Sequence, residues 1–315
     1  MPNPLKSLEY LTASAQEKAD FIDGQLSKLE QLLDKMGPLL SKELIEIYLS
    51  QLDLNRGQIM TTLQNQLKAQ LIEHAYQKFQ NQHGYKVVSM MMEDAYSLSG
   101  LNNDYFSKLV GSLVDDTDIR KIVNARLGLN DKGELKKEGF MKQVLDDESV
   151  KNKIKDFAAD KVISGTGYED LRKGFETLIE GDADRMGAFK EYHRNVAYDT
   201  YAKIDALNGK LYADKLNLKY FIYAGTRRKA SRHFCIHRKG KVYSSEEAEQ
   251  WKALIGTTTL NDKGKRVPAG PIVSGEDIAT YNWAIDRGGY GCVDDIMYIS
   301  EEIAFAKRPD LKPKK

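Results

Sequence analysis

The chain has little cysteine: two residues, Cys235 and Cys292, in a length of 315. Two thiols cannot build the framework of a small secreted scaffold, and neither sits in a Cys-x-x-Cys pair, so a redox motif or zinc ribbon is not indicated. Long apolar runs are missing too. The most apolar short stretches, such as "YKVVSMMM", break within a few residues, far short of the roughly 18 that a membrane span needs. The start, "MPNPLKSLEYLTASAQEK", lacks the apolar core and small-residue cleavage site of a signal peptide, which predicts a chain made in the cytoplasm with no membrane partner. Charge of one sign is absent: 47 basic residues stand against 46 acidic ones, a net +1, so no global field draws the protein to nucleic acid. A P-loop, a dinucleotide glycine fingerprint, HExxH and GxSxG are all lacking, and no cofactor is expected.

Hydrophobic residues at 41% and charged ones at 30% argue for folded material, and the length allows two or three units. Ile22, Leu26, Leu29, Leu33 and Met36 step by three and four, which predicts one helical stripe that Gly37-Pro38 stops. A second stripe, Ile59, Leu63, Leu67, Leu71, Ala75 and Phe79, follows "LNRGQ" and is expected to end near Gly84, with His74 a core or boundary histidine beside it. From Met90 to Ser149 short apolar segments alternate with the separators "SGLNND", "DDTD" and "LNDKGELKKEG". The last is a turn built on Asn130, Asp131 and Gly133, and Leu-Asn-Asp-Lys-Gly recurs at Leu260–Gly264 as a similar turn. Ile154, Phe157, Ala158 and Val162 share a face. Thr166 and Glu169 stand at capping-box spacing before a helix that buries Leu171, Phe175, Leu178 and Ile179. A third helix carries Met186, Phe189, a packed His193, Val196, Thr200, Ile204 and Leu207, with Asn208-Gly209 as its stop.

After Leu216 the period becomes two, and "LKYFIYAG" reads as a strand covered on both faces. Ser244 and Glu247 give another capping box, "LNDKGKRV" a hairpin, Ile296–Ile299 a last strand, and Ser300 the start of a short helix. The fold class is therefore α+β, mainly helical over the N-terminal two-thirds and followed by a small mixed module. The sequence divides into a helical region 1–150, a helical connector 151–209 and an α+β module 210–315.

Chemistry concentrates in two places. Arg227, Arg228, Lys229, Arg232, Arg238, Lys239 and Lys241 form a basic run with no acid, able to meet phosphate or simply a solvated loop. Within it "RHFCIH" brings His233, Cys235 and His237 together. Read as a strand, residues two apart point the same way, and Cys292 could complete a zinc site or a thiol centre. A Cys235–Cys292 disulfide is a further option. The preferred reading is two neighbouring, reduced, buried thiols at a corner where Gly288, Gly289 and Gly291 allow positive φ or close approach while Tyr290 fills space. The adjacent acids Asp294 and Asp295, like Glu246 and Glu247, are expected to be solvated or to complement a helix dipole.

The order of these elements resembles the phage Mu F-like head morphogenesis family of minor head proteins. The matching positions are Lys219, Arg232, His233, Cys235, Gly240, Lys241, Val242, Tyr243, Gly288, Gly289, Tyr290 and Cys292, and the likeness spans roughly 151–309. Ala230 and Gly291-Cys292-Val293-Asp294 depart from the family's Asp and its Asn-Cys-Arg-His element. The resemblance implies a non-enzymatic virion component located in the head. Its implied partners are the portal protein, the major capsid protein and packaged double-stranded DNA. The competing expectation is a metal-dependent or thiol enzyme centred on His233, Cys235, His237 and Cys292.

Overall fold

The computed structural model describes residues 4–225, 231–273, 278–289, 292 and 294–313, with burial assigned from residue 13 onward. The fold is α+β, with long helices in the N-terminal part and a small sheet in the C-terminal region. Helix α1 runs over Pro4–Ile47. A tight hairpin follows, β1 Leu54–Asn55 and β2 Gln58–Ile59, whose central residues Arg56 and Gly57 both take positive φ, as a mirror-image two-residue turn requires. Next come α2 Leu63–Leu67, α3 Gln70–Phe79, a π-helical turn Gln80–Gly84 and α4 Tyr85–Val110. Then α5 Thr117–Leu127, α6 Phe140–Asp146, α7 Glu148–Ile163, α8 Tyr168–Glu180 and α9 Ala188–Lys215 complete the helical part. The rest is β3 Tyr220–Ala224, α10 His233–Ile236, β4 Val242–Ser244, α11 Ser245–Glu249, β5 Thr258–Leu260, β6 Arg266–Pro268, α12 Trp283–Asp286, β7 Asp295–Ile299 and α13 Glu301–Lys307. Among the described residues no helix is long and apolar enough to cross a membrane.

Several expected boundaries move, each because tertiary packing outweighs a local signal. Gly37-Pro38 does not stop α1: Pro38 lies inside the helix on its exposed side. It removes one backbone donor, while Leu40 and Leu44 carry the buried stripe onward. The stripe from Ile59 to Phe79 is not one helix. Ile59 belongs to the hairpin, Leu63 and Leu67 are exposed, and the buried face of α3 is Ile72, Ala75, Tyr76 and Phe79, which leaves His74 facing solvent. "SGLNND" lies within α4, where Asn102 and Asn103 spend their amides on Asp205 and on the Tyr212 hydroxyl. Asn208-Gly209 lies inside α9, since Tyr212 and Ala213 extend the buried face by another turn. Met186 precedes that helix and is exposed. Thr166 is not a cap; Gly167 is, with no side-chain bond.

Other expectations hold. Asn130 and Asn261 build the same turn twice: each side-chain oxygen accepts from the backbone N–H groups two and four residues on, and Gly133 and Gly264 take positive φ. Ser244 and Glu247 form a complete capping box, and Ser300 caps α13.

The chain forms two compact units that interleave along the sequence. One comprises Asp23–Asp94 and Asn124–Tyr198. Its core is aromatic and aliphatic, with Tyr48 and Phe157 edge-on to Phe175 and with Phe189 edge-on to both Phe79 and His193. His193 is buried as expected, its Nε2 3.2 Å from Asp147 Oδ2, the oxygen that accepts from Tyr76 Oη at 2.7 Å.

The other unit comprises Met1–Ile22, Ala95–Val123 and Asp199–Lys315. Its sheet has the order β4-β3-β7, antiparallel throughout, with Phe221 opposite Tyr243 on one side and Tyr298 on the other. Phe221 and Tyr223 leave β3 on the same face. There Trp283 stacks on Phe221 at 5.0 Å between ring centroids, and Trp251 stands edge-on to Phe221, Tyr223 and Phe234. Burying each such ring contributes about 1.5–3 kcal/mol before ordering costs.

Candidate functional site

The expected corner forms at the end of β3. Cys235 and Cys292, 57 residues apart in the chain, bring their Sγ atoms to 3.8 Å, and both are free thiols. Cys235 is buried and Cys292 half-buried. Tyr223 points from β3 into the gap, its hydroxyl 3.4 Å from Cys235 Sγ and 3.6 Å from Cys292 Sγ. Asp294 Oδ2 lies 3.9 Å from Cys292 Sγ, and its Oδ1 pairs with Lys239 Nζ at 2.8 Å.

The bare backbone of Gly288 makes the corner possible. A Cβ there would sit 2.6 Å from Cys235 Sγ and 3.0 Å from Cys292 Sγ, so any side chain would push the sulfurs away. Gly289 has φ +87° and faces the backbone of Ile272. Tyr290, expected to fill this corner, lies outside the described residues, as does Gly291.

The two thiols share protons unequally. A hydrogen bond from the Cys235 thiol lowers the pKa of Cys292 against the effect of burial. That bond, together with burial, pushes Cys235 far up. Burial, reinforced by the neighbouring sulfurs, holds the Tyr223 phenol well above its ordinary range.

"RHFCIH" is not a strand. It forms the one-turn helix α10, entered from Arg232 in extended conformation. At about 100° per residue, His233 and His237 share one side while Cys235 leaves from the other. The two imidazoles lie 4.0 Å apart between centroids with their planes tilted by 53°, and they line a cavity of about 390 Å³ with Arg232, Asp262, Lys263 and Ile272. The four-residue centre of His233, Cys235, His237 and Cys292 is therefore not assembled: the sulfurs meet Tyr223 and Asp294 instead.

Of the four described residues of the basic run, three are engaged within the fold. Arg238 lays its guanidinium 3.7 Å over the Phe234 ring and 4.9 Å from that of Trp251, a cation–π stack, and donates to Phe234 O. Burial lowers its pKa. Arg232 donates to Gly288 O at 2.7 Å, tying α10 to the glycine corner, and Lys239 is held by Asp294. Lys241 is exposed, while Arg227, Arg228 and Lys229 lie outside the described residues.

Asp294 and Asp295 are neither solvated nor dipole partners. At the start of β7 they diverge, Asp294 toward Lys239 and Asp295 toward Lys18 and Arg287, at 2.8 Å and 3.1 Å respectively. Lys18 and Arg287 also pair with the buried Asp205. Arg287 takes φ +52°, costly for a residue with a side chain. It is fixed there by donating to Asp294 O and Asp205 Oδ2. Sequence reasoning missed this cluster. The one available signal was that Lys18 precedes Ile22 by four residues, and so occupies an apolar position of the α1 stripe.

No family model, curated protein or solved structure matches this chain.

Proposed function

We propose that this protein is a structural and interaction component of a tailed-phage head, a minor capsid protein associated with the portal or the inner shell. In this reading residues 210–315 form a rigid docking module, and Lys241 with the Arg227–Lys229 stretch meets acidic portal surface or packaged DNA. One observation carries the reading. The described residues of the segments that resemble Mu F-like minor head proteins, Arg232–Cys235, Gly240–Tyr243, and Gly288, Gly289 and Cys292, are distant in sequence, yet they pack around Tyr223 within a single unit. Tyr223 N donates to Lys241 O, and Gly240 N donates back to Tyr223 O, which adds the second segment to the first and third.

The inward use of Arg238 and Lys239 narrows the contact surface to Lys241 and the Arg227–Lys229 stretch. The test replaces Arg227, Arg228, Lys229 and Lys241 together with glutamine and measures copies of the protein per head by quantitative mass spectrometry of purified particles. The expected outcome is a several-fold loss of incorporation with the fold retained. Unchanged particle composition and infectivity would count against the proposal.

A further inference from the structure

The two-thiol corner has the dimensions of a metal site. A tetrahedral ion with metal–sulfur bonds of about 2.3 Å and metal–oxygen bonds of about 2.0 Å sets two sulfurs about 3.8 Å apart and a sulfur and an oxygen about 3.5 Å apart. Here the sulfurs are separated by 3.8 Å, Tyr223 Oη is 3.4 Å and 3.6 Å from them, and Asp294 Oδ2 is 3.9 Å from Cys292 Sγ. One donor atom from each of Cys235, Cys292 and Asp294 falls within a common 4.8 Å.

We propose that Cys235, Cys292 and Asp294 bind one divalent ion of the zinc class, with the Tyr223 hydroxyl at the fourth corner, as a closed structural site. The donor set selects the ion. Two thiolates disfavour magnesium and calcium, which take oxygen ligands, and suit zinc. The surroundings are those a ligated carboxylate requires: one oxygen faces the sulfurs while Lys239 holds the other at 2.8 Å, the outer-shell contact that orients a ligand.

Space is reserved on two sides by residues without Cβ. A side-chain carbon on Gly288 would collide with both sulfurs, and one on Gly225 would come 2.4 Å from Asp294 Oδ1. Charge balances as well. Binding exchanges two thiol protons for one dication, giving two thiolates, one carboxylate, the ion and the Lys239 ammonium, a net charge of zero, with two protons released to solvent. Half-buried Cys292 marks the side of entry. With every corner filled by a protein atom, the site holds the closing segment to β3 and α10 and leaves no position for a substrate. The inference does not depend on the phage-head reading.

The experiment uses the full chain, reduced, incubated with excess zinc sulfate and desalted into metal-free buffer, with bound zinc measured by plasma mass spectrometry. One zinc per chain is expected, falling at least tenfold in Cys235→Ser and in Cys292→Ser and remaining at one in His233→Ala/His237→Ala. Cobalt(II) loaded in place of zinc should give the intense visible bands of a tetrahedral ion and a thiolate charge-transfer band, both weakened in Asp294→Asn. These spectra keep the assignment testable if a cysteine variant fails to fold. Wild-type protein that retains no zinc while titrating two free thiols would overturn the proposal. So would an intramolecular disulfide that survives reductant, or zinc that is lost only in the histidine variant.

Discussion

Lys18 Nζ lies 2.8 Å from Asp295 Oδ2, joining the first helix to the last strand within one unit, and the lysine side chain is only 7% exposed. Asp205 and Arg287 complete a four-membered cluster of two cations and two anions. Removing one member leaves the others buried without balance. Lys18→Met is expected to destabilise this unit by about 3–5 kcal/mol, read as a lower urea midpoint at unchanged slope.

The same cluster sets a pH window. Burial alone would raise the Asp295 carboxyl, but Lys18 and Arg287 outweigh it and hold the group below the usual range. Its folded value is therefore depressed. The stability it contributes is present above the unfolded carboxylate value of about 3.9 and is lost as pH falls through the folded one. Burial lowers Lys18, Asp205 and Asp295 raise it more, and the net shift is upward. That contribution is present below about 10.4 and is lost as pH rises through the folded value. Urea unfolding across pH should show a steep acid limb in the wild type that flattens in Asp295→Asn, which is less stable at pH 7.

Pro38 interrupts the hydrogen bonding of α1 on its exposed side. Pro38→Ala restores one N–H donor and should raise helix stability by about 1–3 kcal/mol, seen as a higher melting temperature.

Gly288→Ala places a methyl group against both sulfurs. Overpacking of this kind costs about 1–3 kcal/mol. The variant should also react faster with a thiol reagent under native conditions, because the displaced sulfurs lose their cover.

Glu247 serves two purposes, closing the capping box with Ser244 and receiving Arg308. Ser244→Ala should cost about 1 kcal/mol, measurable by denaturant titration, whereas Glu247→Ala should cost more because it also removes one of the two carboxylates that hold the Arg308 guanidinium.

Patterning made the helices and the small sheet legible, because a buried face repeats every three to four residues in α7 and β3 is a short apolar run buried on both faces. It failed where one residue answered to a distant partner. Asn208 reads as a stop until Ser99 is seen to accept its amide. Asp294 and Asp295 read as surface acids until Lys239 and Lys18 are found beneath them. Cys235 stands beside Cys292, but α10 is a helical turn rather than a strand, and that turn separates the thiol from the histidines. Tyr223, which meets both sulfurs, was visible only as one aromatic residue among several in β3.

The sheet order β4-β3-β7 has a consequence for biosynthesis. β3 can zip to β4 soon after both have been translated, but its other edge waits for β7. A ribosome stalled before Ile299, or a protease cutting in the intervening segment, leaves that edge bare. A bare edge invites pairing with a second nascent chain, so interrupted translation products should co-sediment with one another.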